Sequence, residues 1–206
     1  MFYVAVLTPT AGNVKMDYAQ SLARMVLHFC TQKVDPESPE QGMILAAQRS
    51  FSTSCNREML IDMILPNKEI THVLFVDDDM GFEEDTLHLM ASRNQDILCA
   101  NYPKKKFPIE FITIGLDGKE LASHRESIGL EEAQQGGFGF ALIKREVFER
   151  LPKPWFPVLY NSTLNVYSSD DYYFSRMARL SGYKIMIDHD ASHKVWHMGD
   201  FKFSTQ

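Results

Sequence analysis

The stretch VLFVDDDMGF, residues 73–82, constrains the fold more than any other part of the chain. Val73, Leu74, Phe75 and Val76 suit a buried strand, and the chain then presents three successive carboxylates, Asp77, Asp78 and Asp79. Ionised carboxylates this close repel one another, and each is costly to desolvate without a partner. The strand must therefore end where cations, donors or a ligand meet its tip. In an open α/β sheet that place is the carboxyl end of the strands, where ligands bind. An Asx turn and a cap for the following helix would occupy one aspartate, and three exceed what a cap uses. A hard divalent cation bridging carboxylates to phosphates would satisfy them.

The flanking sequence fits such a sheet. FYVAVLTP (2–9) reads as a strand, and Tyr18, Leu22, Met25 and Phe29 recur with helical spacing. VDPESPEQG (34–42) reads as a surface loop. Phe51, Cys55, Met59 and Met63 follow an i, i+4 pattern closed by Pro66, which predicts a helix with that apolar face. EEDTLHLMASR is a helix with an acidic first turn and DILCANYP a strand; FITIGL-DG-KELAS carries an Asp-Gly hairpin signal. GGFGFALI and YKIMID read as strands, REVFERL and DDYYFSRMARLSG as helices, with Gly182 at the helix exit. The alternation predicts one α/β domain over residues 1–206, built on a mixed, mainly parallel central sheet with flanking helices.

Of the 206 residues, 45% are hydrophobic, which suffices for a sizeable core. No apolar run approaches the ~20 residues of a membrane span, and MFYVAVLTPT lacks the pattern of a signal peptide, so a cytoplasmic protein is expected. Cys30, Cys55 and Cys99 form no CxxC pair and read as reduced, mostly buried thiols. The net charge of −6 offers no general attraction for nucleic acid, although Lys104-Lys105-Lys106 is a local exception.

Five blocks in order resemble the GT-A glycosyltransferases, and among them the family-2-like enzymes. They are VLFVDDD, NYPKK (101–105), GGFGFALIKREVFERL (136–151), SDDYYFSRMARLSGYKIMID (169–188) and VWHMG (195–199). The resemblance covers most of the chain and implies a Rossmann-like GT-A domain. Residues 1–100 would form its nucleotide-sugar-binding half and 101–206 its acceptor and catalytic half. It implies transfer of a sugar from a nucleoside-diphosphate donor, a UDP-sugar first, to an acceptor hydroxyl, with Mn²⁺ or Mg²⁺ as cofactor and a slight lean to inversion.

By resemblance, Asp77 contacts the ribose and shares the metal, Asp79 and His197 hold the metal, and Asp78 supports them. Thr8, Pro9 and Thr10 receive the base and ribose. Arg57, in an Asn-Arg pair reversed from the family's order, contacts the nucleotide unless it lies on a solvated helix face. Lys104 and Lys105 reach the diphosphate or an anionic acceptor, unless the charge run is simply a solvated loop. Asp170-Asp171 stands where the family has Glu-Asp, implying Asp171 as the general base with Asp170 as the alternative. Ser168-x-x-Asp171 is equally a capping-box pattern. His193 and His197 have the spacing of a zinc pair on a helix, but Lys194 replaces a peptidase glutamate, and His193 reads as a structural histidine. The acceptor stays open among saccharide, protein and modified DNA base. A non-catalytic protein that binds a nucleotide sugar or glycan is the rival reading. A DxD phosphohydrolase is disfavoured because DxDxT is absent, and a nucleotidyltransferase because TPTAGNVK is a poor phosphate loop.

Overall fold

The computed structural model describes all residues except Pro39, Thr163, Leu164, Asp200 and Gln206. In chain order the elements are β1 (Phe2–Thr10), α1 (Met16–Thr31), β2 (Gln41–Arg49), α2 (Thr53–Ile64), β3 (His72–Val76), β4 (Met80–Phe82) and α3 (Thr86–Ser92). There follow β5 (Ile97–Cys99), β6 (Ile114–Gly115), β7 (Leu130–Gln135), β8 (Phe140–Lys144), α4 (Arg145–Arg150), β9 (Tyr160–Asn161) and β10 (Val166–Tyr167). The last are α5 (Asp170–Leu180), β11 (Ile185–Asp188), α6 (His189–Ser192), β12 (Val195–Met198) and β13 (Lys202–Ser204).

Eight strands form the central sheet in the order β2-β1-β3-β8-β5-β11-β7-β6. β2, β1 and β3 are parallel neighbours, as are β5 and β11, while β8 runs antiparallel between β3 and β5. β7 then pairs antiparallel with β11 and β6 with β7. The sheet is thus mixed, as expected, but antiparallel pairings are more numerous than the sequence pattern suggests.

Alternation along the strands sends side chains to two apolar layers. Ala5, Leu7, Val73, Phe75, Ala141 and Ile143 face α2, α4 and α5, meeting Leu60, Ile61, Phe148, Phe174 and Ala178. Val4, Val6, Leu74, Val76, Phe140 and Leu142 face the other way onto Tyr18, Met25 and Phe29 of α1 and Leu87 and Met90 of α3. The α1 stripe follows the predicted spacing. A separate three-stranded sheet, β13-β12-β4, carries the end of the chain back to the aspartates, with His197 opposite Met80. No helix among the described residues is long and apolar enough to cross a membrane.

Several local expectations are corrected. Helix α2 exists, but its buried face is Asn56, Arg57, Leu60, Ile61 and Ile64; Met59 and Met63 are exposed, and Phe51 lies ahead of the helix. The i, i+4 run of Cys and Met was read as the inner face because Asn56 and Arg57 look like surface residues. Strands β2 and β7 went unread: β2 is an edge strand with many exposed positions, and LEEAQQ is too polar to signal a strand. The glycines of GGFGF precede β8 rather than lying within it. The cap of α5 is Ser169, whose hydroxyl accepts from Tyr172 N, whereas Ser168 bonds Leu159, so the Ser168 capping box does not form. His193 ends α6 and His197 lies in β12, so the two share no helix. Of the three cysteines only Cys99 is buried; Cys30 is exposed and Cys55 intermediate.

Candidate functional site

The acidic tip is fixed by backbone bonds from distant parts of the chain. Asp77 N donates to Gly139 O (3.0 Å), Lys15 N to Asp78 O (2.9 Å) and Met198 N to Asp79 O (2.8 Å). Asp78 also accepts, through Oδ2, the Ala11 N–H at 3.3 Å, which draws in the loop after β1. The three carboxylates thereby acquire different surroundings, and the repulsion between them is resolved in three ways.

Asp77 faces Arg57. The guanidinium, 4% exposed, donates from one nitrogen to Asp77 Oδ1 (2.8 Å) and from another to Asp170 Oδ2 (2.6 Å). Burial disfavours the cation, yet Asp77, Asp170 and Asp171 more than offset this and hold Arg57 firmly protonated. Burial pushes Asp77 up to about 6 against the pull of Arg57, and the neighbouring Asp79 and Asp170 charges add to the rise. Arg57 is therefore an internal cation with its Nε unpaired, not part of a solvated helix face.

Asp79 sits beside Lys105, whose ammonium contacts Oδ2, and His197. Burial alone would raise this carboxyl, but His197 and Lys105 outweigh it and hold Asp79 at about 2. His197 Nδ1 donates to Pro103 O (3.0 Å), which turns Nε2 toward Asp79. The Nε2–Oδ1 separation is 3.4 Å, outside hydrogen-bond alignment, and Asp79 Oδ1 is buried without a donor. An imidazole oriented by a backbone carbonyl beside a carboxylate oxygen without a donor has the chemistry a metal ligand pair would need, while Lys105 occupies the other oxygen of Asp79. Asp77 does not join them, and among the described residues no group of three or more His, Cys, Asp or Glu is gathered closely enough to hold an ion. Asp79 and His197 are the two side chains that would fit an ion there.

Asp171 is 8% exposed, and among the described residues no cation pairs with it directly. Its Oδ1 accepts from Tyr172 N (2.8 Å) and from Gln135 Nε2 (3.4 Å). Burial raises its pKa; the Ser169 contact opposes that, and the nearby Asp170 adds to it. Of the two expected candidates, Asp170 is the one paired with Arg57.

A cavity of about 260 Å³ opens at the carboxyl ends of β1, β2 and β3, lined by Pro9, Thr10, Ala11, residues 50–53, Asn56 and Asp77 to Asp79. Pro9 and Thr10 line it as expected. Thr8 lies beneath it, buried, with its hydroxyl 2.5 Å from Tyr18 OH.

Three contributors were not legible in the sequence. Tyr102, in the NYP block, accepts the Gly139 N–H through its hydroxyl (2.7 Å). A Cβ at Gly139 or Gly137 would fall 2.5 or 2.8 Å from that oxygen, which explains why small residues occur there. Gln135 comes from the unread β7. Phe51, 90% exposed, stands at the cavity's edge.

No family model matches this sequence, and no curated protein matches it. Among solved structures, the crystal structure of A197 from STIV aligns with 100% of this chain and 91% of that one, with a TM-score of 0.67 and 19% identity. At that identity the likeness is one of fold.

Proposed function

We propose that the protein is a GT-A-type glycosyltransferase moving a sugar from a nucleoside-diphosphate donor, UDP-linked first, to an acceptor hydroxyl. The observation that carries this reading is the Asp79–His197 pair, in which Asp79, part of the lining of the strand-end cavity, has one buried oxygen without a donor facing the oriented imidazole. The ordered blocks of the family-2-like resemblance support it as well.

In this reading the nucleoside occupies the cavity beside Pro9 and Thr10, with its phosphates toward Asp79 and Lys105. Asp79 and His197 would hold Mn²⁺ or Mg²⁺, which supplies positive charge opposite the departing diphosphate. Lys105 lies close enough to Asp79 to offer its ammonium to the same phosphates. Asp171 takes the proton of the acceptor hydroxyl as that oxygen bonds to the anomeric carbon and the sugar–phosphate bond breaks, releasing the nucleoside diphosphate. A raised carboxyl pKa strengthens it as a base, and the Tyr172 and Gln135 bonds orient it. A base on the face opposite the leaving group gives inversion. The acceptor class, whether saccharide, protein or modified nucleobase, stays open.

A nucleotide-sugar binder without turnover is the second reading. The observation favouring it is that Arg57 and Lys105 already neutralise Asp77 and Asp79. Incubation with Mn²⁺ and a panel of nucleotide sugars separates the two by released nucleoside diphosphate. The enzyme releases it, and Asp171→Asn retains donor binding while losing about 10²- to 10⁴-fold in rate. Donor binding with no release from any sugar nucleotide overturns the transferase in favour of the binder.

A further inference from the structure

Phe51 is the most exposed large apolar side chain among the described residues, at 90%, yet it lines the cavity that ends at the three aspartates. Its position in the chain makes this unusual. It directly precedes Ser52, the N-cap of α2, and an apolar residue there commonly packs on the fourth residue of the helix. In this protein that fourth residue is Asn56, which is turned inward and donates to Thr10 O at 3.1 Å. The staple has no apolar counterpart, and the ring lies open to solvent.

The lining is also divided by chemistry. Its carboxyl groups are Asp77, Asp78 and Asp79, while Ser50, Ser52 and Thr53 flank Phe51; Ser50 Oγ donates to Ser52 O and Ser52 Oγ accepts from Cys55 N, which holds the segment around the ring in place. An aromatic face beside neutral hydroxyls suits a flat heteroaromatic ring with polar edges.

We propose that Phe51 is the stacking platform for the nucleobase of the bound nucleotide. This rests on the nucleotide reading above and adds to it the means of base recognition. The ring contacts the base face, and the polar segment around it, Thr53 included, lies toward the base edge. Every base has a π-face, so recognition of this kind is tolerant of base identity. Binding brings a solvent-exposed hydrocarbon ring out of water, a gain realised only when the ligand carries a base.

The test titrates wild type, Phe51→Ala and Phe51→Tyr with UDP, GDP, ADP and, as a probe lacking a base, inorganic pyrophosphate, all with Mn²⁺, by calorimetry. Stacking contributes about 1–3 kcal/mol per base, so Phe51→Ala is expected to weaken each nucleotide by roughly 5- to 150-fold. Pyrophosphate affinity should be unchanged in that variant, and Phe51→Tyr should hold nucleotides within about threefold of wild type. The exposed ring makes little contact with the core, so the melting temperature of both variants should match wild type. Equal nucleotide affinity in wild type and Phe51→Ala overturns the platform and leaves the nucleotide reading standing. Equal losses for nucleotide and pyrophosphate overturn it as well, by assigning Phe51 a role in shaping the loop. Failure of wild type to bind any nucleotide while binding pyrophosphate overturns both.

Discussion

Replacing Arg57 with methionine tests the internal ion network most directly. The side chain is similar in length and apolar, so packing against Phe75 and Phe138, whose rings lie 5.9 and 6.0 Å from the guanidinium carbon, is largely kept. What is lost is the cation that serves Asp77 at 2.8 Å and Asp170 at 2.6 Å. Removing one partner of a buried pair costs about 3–5 kcal/mol. For a chain of this size 1 kcal/mol corresponds to about 2–4 °C, so the melting temperature should fall by roughly 6–20 °C. The loss should depend on pH. Asp77 already titrates at about 6 when folded, above the ~3.9 of a free aspartate, so the folded state binds more protons between those values. Stability is therefore lost as pH rises through that interval. Without Arg57 the carboxyl should move higher still, carrying the loss toward neutral pH. Calorimetric scans at pH 5 and pH 8 should show the larger deficit at pH 8. Asp170→Asn in the same chain should restore part of it. A melting temperature within 2 °C of wild type, or a deficit of equal size at both values, refutes the reasoning.

Two further substitutions probe how the acidic tip is held. Tyr102→Phe leaves the Gly139 N–H, whose bond to the hydroxyl is 2.7 Å, without an acceptor; urea denaturation should show a loss of about 1–3 kcal/mol. Gly81→Ala places a Cβ 2.1 Å from Trp196 Nε1, forcing β12 away from β4; a loss of about 1–3 kcal/mol is expected, with recovery when Trp196→Ala is added. An unimpaired Gly81→Ala chain would show that the strand pair yields without cost.

The sequence was most informative where hydrophobic period and burial agree. β1, α1 and β3 alternate or recur as their burial requires, and the tip of β3 was identifiable from three carboxylates that needed partners. The inner face of α2 was misread because Arg57 is buried by carboxylates supplied from positions 77 and 170, and no local pattern reveals a counter-charge that distant in the chain. LEEAQQ became a strand because β11 and β6 flank it, a tertiary effect that overrides weak propensity. Which of Asp170 and Asp171 Arg57 engages is likewise invisible to any local pattern. The Asp79–His197 pairing was suggested by family resemblance, and its orientation by Pro103 became visible only in the fold.

The strand that carries His197 follows the aspartate tip at a long distance in the chain, and it closes over carboxylates laid down far earlier. On a ribosome, the sheet's leading strands can pair while this acidic end is still open to solvent. The carboxylates must then be tolerated in an unfinished setting until β12 emerges and docks. Any ligand that depends on both Asp79 and His197 can accordingly bind only after β12 has docked, so its binding reports that docking rather than assisting the earlier steps.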